Sequence, residues 1–266
     1  MIGAIIGDII GSYYEFLGLK IKRFPLFREE DWFTDDSVLT CAIAQSLLDC
    51  DGDYTNLSQI TIVNMHAICP NYYATAGYGG MFHYWLRKGS TEPYNSFGNG
   101  SAMRIGAVPY FADSLEQVKE LTRKVTEITH NHPEGLKGAE ATAVAEWLAL
   151  NGSTKEEIKK HIEENYYSMD YDEDDLFRNY KFDGTCQGTV PQCIFAFLIS
   201  SSYEDAIRKV VSWGGDVDTM GAITGAIAGA FYGVPEEIEE EGLDYLDDAM
   251  LEIVKRFKDY VKNKQK

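Results

Sequence analysis

Glycine recurs at every fourth residue in two separated segments: Gly3, Gly7 and Gly11 in GAIIGDIIG, and Gly221, Gly225, Gly229 and Gly233 in GAITGAIAGAFYG. Positions four apart lie on one face of an α-helix, so each segment carries a flat strip along which another helix can approach closely. A glycine inside a helix costs roughly 1 kcal/mol relative to alanine, so these positions require a compensating gain. Close packing of two central helices supplies it. Each ridge also has acids beside it: Asp8 and Glu15 in the first, Asp216 and Asp218 just before the second.

The rest of the chain agrees with a helical fold. Residues 34–49, 115–130, 134–150, 154–167, 189–201, 202–213 and 236–262 repeat apolar side chains at spacings of three and four, and alternating strand patterns are nearly absent. Start signals accompany several of these segments: Thr34 or Asp35, Ser114 with Gln117, and Ser153 or Thr154 ahead of Glu156 and Glu157. FGNGSAM at 97–103 reads as a turn feeding a helix, and the acidic stretch 168–184 as an exposed loop or lid. The expected architecture is all-α, a compact single-domain helical bundle over residues 1–266 with no linker.

Charge and composition narrow the function classes. A formal net charge of −18 repels a phosphate backbone, which argues against non-specific nucleic-acid binding. The five cysteines have no C-x-x-C spacing and read as reduced thiols of a cytoplasmic protein. The apolar N-terminus lacks a basic leader and is interrupted by Asp8 and Glu15, unlike a signal peptide. The apolar stretch 219–235 falls short of the roughly 20 residues a membrane helix needs, so it is expected as a buried core helix. A monomer without membrane association is the expectation.

Two acidic clusters then stand out. Thr34-Asp35-Asp36 precedes one helical pattern, and Asp216-x-Asp218-Thr219 follows two glycines and precedes the second glycine ridge. Carboxylates at a helix N-terminus are favoured by roughly 0.3–1 kcal/mol each, which would account for either cluster alone. Two clusters that each combine carboxylates with a threonine hydroxyl make the all-oxygen set that Mg²⁺ or Mn²⁺ requires. Other motifs carry less. His130 and His132 have no third ligand at zinc spacing, and DYDEDD lacks both the glycine and the final glutamate of a calcium loop.

Read together, GAIIGDIIGSYYE (3–15), FTDDSVLT (33–40), FGNGSAMRIGAVP (97–109), THNHPEG (129–135), GTVPQCIFAFLIS (188–200) and GGDVDTMGAITGAIAGAFYG (214–233) resemble the ADP-ribosylglycohydrolase family, in the family's order and over most of the chain. The resemblance implies an all-α fold around two Mg²⁺ or Mn²⁺ ions, and hydrolysis of the bond between ADP-ribose and an acceptor on a protein or small molecule. By motif match it assigns Thr34, Asp35, Asp36, Asp216, Asp218 and Thr219 as metal ligands. Glu15, Asp36 and Asp218 are the expected catalytic residues, with Asn99, Gly100, Ser101, Met103 and His130 on the substrate. A metal-dependent phosphatase or pyrophosphatase and a non-catalytic ADP-ribose-binding protein are the alternatives.

Overall fold

The computed structural model describes residues 1–264 except 16 and 19, and these form a helical assembly whose only β pairing is an isolated bridge between Gly98 and Thr185. In chain order the helices are α1 (Ile2–Glu15), α2 (Asp35–Asp49), α3 (Leu57–Ile68), α4 (Gly80–Arg87), α5 (Leu115–Thr126), α6 (Pro133–Leu150), α7 (Lys155–Asn165), α8 (Glu173–Asn179), α9 (Cys186–Ile199), α10 (Tyr203–Trp213), α11 (Val217–Tyr232), α12 (Glu236–Leu243) and α13 (Asp248–Lys264). Among the described residues no helix is long and apolar enough to cross a membrane.

The two glycine ridges meet face to face. A Cβ placed on Gly3 would overlap the Gly225 carbonyl, one on Gly7 the Gly221 carbonyl, and one on Gly11 would lie 2.6 Å from the Asp218 nitrogen. As the α1 position rises its α11 partner falls, so the helices are antiparallel and in backbone contact. This register puts the C-terminal end of α1, with Asp8 and Glu15, against the N-terminal end of α11, with Asp216 and Asp218. Ile5, Ile6, Ile9 and Ile10 of α1 are fully buried on the flanks of the ridge. At about 1.5–3 kcal/mol for each buried aliphatic side chain, they return what the glycines cost. Gly233 departs from the expectation, because it lies beyond the last turn of α11 with φ +75° and caps the helix. That left-handed conformation is open to glycine at no steric cost.

Several expected elements have different ends. The 236–262 pattern divides into α12 and α13, with Leu246 buried between them. FGNGSAM does not lead into an α-helix. It forms a 3₁₀ turn at Asn99–Ser101, followed by turns and a second 3₁₀ segment at Val108–Phe111. Stretch 168–184 is not only loop, since Asp172 accepts from the Asp175 N–H and caps α8. Thr34, Ser114 and Thr154 are the caps of α2, α5 and α7, and Thr154 forms a full capping box with Glu157. All five cysteines are free and buried.

Candidate metal centre and substrate cleft

A cleft of about 650 Å³ opens where α1, α2 and α11 converge. Glu15, Thr34, Asp35, Asp216, Asp218 and Thr219 line its acidic end. Asn99, Gly100, Met103 and His130 line it as well, together with Trp32, Phe82, Tyr94, Arg104 and Phe182. Local folding explains how the acids reach it. After α10, Gly214 and Gly215 take φ +69° and +93°, and this reversal delivers Asp216 to the cap position of α11. Asp216 makes no side-chain capping bond, so its carboxylate is left for the cleft.

The start of α2 is fastened to α1 by Asp8. One Asp8 oxygen accepts from the Thr34 hydroxyl at 2.7 Å, and the other accepts from the Thr34 N–H at 2.9 Å, the Ser37 N–H at 3.1 Å and the Ser37 hydroxyl. Asp8 thus acts as an anchor for the α2 N-terminus. Carboxylate oxygens of Asp8, Asp36 and Asp218 lie within 4.8 Å of one another, as do those of Glu15, Asp216 and Asp218. Four donors occupy Asp8, whereas Asp36 keeps Oδ1 without a hydrogen-bond partner among the described residues and so offers the freer oxygen to a cation in the first group. Asp35 lines the same cleft but belongs to neither group. The Thr219 hydroxyl lies 3.2 Å from Asp36 Oδ2 and bridges the two acidic clusters.

Electrostatics test whether these residues suit a cation. Asp36 and Asp218 are buried and held well above the usual carboxylate range, first by burial and then by neighbouring carboxylates. Burial and its acidic neighbours also push Asp35 to about 8 and Glu15 to about 7. Asp8 rises to about 6 through burial, offset by the hydrogen bonds from Ser37 and Thr34. Asp36 Oδ1 is buried with no hydrogen-bond partner among the described residues. Converging buried carboxylates of this kind repel one another unless a proton or a cation intervenes. The donor set is entirely oxygen, so it fits a hard divalent ion and not a thiophilic one.

The residues assigned to substrate divide. Asn99 donates its amide to Asp216 Oδ2 at 2.7 Å and to the Thr189 hydroxyl at 3.2 Å, which makes it an orienting group for the acidic cluster. Ser101 is fully buried, and its hydroxyl donates to the Gly135 carbonyl at 2.8 Å, behind the cleft wall. Met103 packs beside Thr219, whose hydroxyl donates to the Met103 Sδ at 3.7 Å. Gly100 and His130 face the cleft side by side. Sequence reasoning missed Asp8 as the anchor of Thr34, and it missed Arg104, Tyr94 and Phe182 on the walls. The run of glycines at spacing four, which carries Asp8 between two of them, was the available signal for the first.

An all-α fold with oxygen-only carboxylate clusters at one end of a cleft defines a class of acidic helical protein whose donor set suits a hard cation, and comparison with known proteins gives the family. A family model described as ADP-ribosylglycohydrolase matches residues 1–266, and the chain belongs to that family of enzymes. The chain is similar to ADP-ribosylhydrolase ARH3 of Mus musculus, at 26% identity covering 92% of this chain and 87% of that protein. It is also similar to the ADP-ribosyl-[dinitrogen reductase] glycohydrolase of Rhodospirillum rubrum, at 24% identity covering 92% and 88%. A solved structure titled "ADP-ribosylglycohydrolase-related protein complex" superposes with a TM-score of 0.68 at 22% identity, covering 98% of this chain and 96% of its own, which supports the fold.

Proposed function

We propose that this chain hydrolyses the glycosidic bond between ADP-ribose and an acceptor, with residues 1–266 acting as one catalytic domain that holds two Mg²⁺ or Mn²⁺ ions. The observation that carries the reading is the meeting of the α1, α2 and α11 carboxylates at one end of a cleft of about 650 Å³. Thr34, Asp35, Asp36, Asp216, Asp218 and Thr219 are the ligands in this reading. Bound there, divalent cations supply the positive charge that polarises ribose hydroxyls and water and offsets the negative charge of the ADP-ribose group.

The protein groups have separate tasks. Asp8 fixes the Thr34 oxygen, and Asn99 fixes the Asp216 carboxylate through its 2.7 Å hydrogen bond. Glu15 lines the cleft beside Asp218, where its carboxylate accepts a proton from an attacking water. Attack at the anomeric carbon passes through an oxocarbenium-like transition state, and nearby carboxylates stabilise its positive charge. Gly98, Gly100 and His130 line the cleft next to Asn99, and the side-chain-free backbone of the two glycines lets an extended ligand approach closely.

The test is a product assay with Mg²⁺ or Mn²⁺ on ADP-ribosyl-arginine, ADP-ribosyl-serine and free ADP-ribose. Release of intact ADP-ribose from a conjugate supports the proposal. Cleavage of free ADP-ribose at its diphosphate with the conjugates untouched overturns it in favour of a pyrophosphatase.

A further inference from the structure

Arg104 is fully buried, yet among the described residues no carboxylate forms an ion pair with it, and its Nε has no hydrogen-bond partner. A buried charge left unpaired is costly, so its surroundings invite explanation. Its Nη2 donates to the Thr129 hydroxyl at 2.7 Å and to the Val125 carbonyl at 3.4 Å. The same Thr129 oxygen lies 2.8 Å from Nδ1 of His130. His130 is itself buried, 5% exposed, and lines the cleft.

The donor inventory favours one direction for this chain. A guanidinium has donors only, so Thr129 Oγ1 must accept from Arg104. The Tyr94 phenol also interacts with the Thr129 side chain and can donate its own proton to that oxygen, which fills the second lone pair and leaves the Thr129 O–H to find an acceptor. The Thr129 proton therefore points to Nδ1, and in a neutral imidazole the ring proton then sits on Nε2. No protein group among the described residues pairs with Nε2. That atom lies under the turn that begins at Gly98: a Cβ on Gly100 would be 3.5 Å from it, and one on Gly98 3.7 Å.

We propose that Arg104 and Thr129 are positioning residues that hold His130 as the neutral Nε2–H tautomer, presenting a fixed hydrogen-bond donor to an oxygen of the substrate in the cleft. The step from donor to substrate rests on the ADP-ribose reading above, whereas the tautomer itself does not. Burial and the nearby Arg104 charge both hold the ring well below its ordinary pKa, in keeping with a neutral imidazole. Tyr94 is the other ring against it, with centroids 5.8 Å apart. A neutral donor keeps the same charge throughout the neutral range, which a histidine titrating near 6.5 would not.

The experiment is nitrogen NMR on the full chain labelled with [15N]histidine, without ligand, from pH 6 to pH 8, with the His130 signals assigned through His130→Asn. The expected pattern is a pyridine-type Nδ1, a pyrrole-type Nε2 and no titration across this range. Thr129→Ser should preserve it, and Thr129→Val, which keeps the shape and removes the hydroxyl, should mix the tautomers. In steady-state assays Thr129→Val should raise KM about tenfold, the equivalent of one misdirected hydrogen bond, with kcat changed much less. A proton on Nδ1, an imidazolium in this range, or a Thr129→Val spectrum like that of the wild type overturns the proposal. Calorimetry with ADP-ribose and Mg²⁺ separates the two readings: absence of binding by the wild type sinks the proposed activity, while the spectra still decide the tautomer.

Discussion

Gly7→Ala is the sharpest perturbation of this fold, because it adds one methyl group where two helix backbones touch. That methyl would overlap the Gly221 carbonyl oxygen and carbon, and it would stand 3.1 Å from the Ala222 nitrogen. Alanine favours the helix by about 1 kcal/mol, but overpacking a filled interior costs about 1–3 kcal/mol and more when the obstacle cannot rotate away. The obstacle here is backbone, so the upper part of that range applies and the net loss is about 2 kcal/mol or more. For a chain of this size that lowers Tm by about 4–8 °C. Gly229→Ala is the internal control, since its nearest contact would be Gly3 Cα at 3.2 Å and a small adjustment relieves it. Thermal melts with and without Mg²⁺, paired with Mn²⁺ titration, make the assay. Gly7→Ala should also bind the cation more weakly, because spreading α1 from α11 parts Glu15 from Asp216 and Asp218. A Gly7→Ala protein as stable as Gly229→Ala, with unchanged cation affinity, would refute the claim that ridge contact builds the site.

Three further outcomes follow from the site. Asp36→Asn and Asp218→Asn should each lower kcat by at least about 100-fold while helix content by circular dichroism stays close to wild type, since each removes one charge from the cation shell; full activity in either sinks the metal assignment. In chelator, stability should fall as pH rises from about 4 to about 8, because the unfolded carboxylates lose their protons near 4 while Asp8, Glu15 and Asp35 keep theirs to about 6, 7 and 8 in the folded chain. Saturating Mg²⁺ should flatten that slope, and denaturant titrations at each pH compare the two conditions. Asn99→Ala removes the 2.7 Å hydrogen bond to Asp216 and should weaken cation binding by about tenfold, read by Mn²⁺ titration, more than it lowers Tm.

Residue types at short range carried much of this information. The cap at Thr34, the box at Thr154 and Glu157, and the three-and-four apolar spacing of α5, α6 and α10 depend on neighbours within a turn, so the linear order displays them. Helices α3 and α4 went unread because their apolar stripes are broken by polar and aromatic residues, and only packing against α2 and α5 or against local aromatic rings gives them a partner. The turn at Asn99–Ser101 kept its place but not its continuation into a helix, because the chain there is held by pairing with Gly184 and Thr185 instead.

By itself the sequence determined that two glycine-striped helices would pack closely and that its oxygen-rich acidic clusters suited a hard cation, since both depend on side-chain size and donor type. Only the tertiary structure decided that the ridges run antiparallel in a register pairing Gly7 with Gly221. That register, together with the Asp8 hydrogen bonds that hold the start of α2, brings Asp36 and Asp218, far apart in the chain, within ligand distance of each other. The tertiary structure likewise made Asp8 an anchor and Arg104 a neighbour of His130 through Thr129. The physical reason is that local propensity acts over a helical turn, whereas the direction of a buried carboxylate or guanidinium is set by whichever distant backbone and hydroxyl groups the packing places beside it.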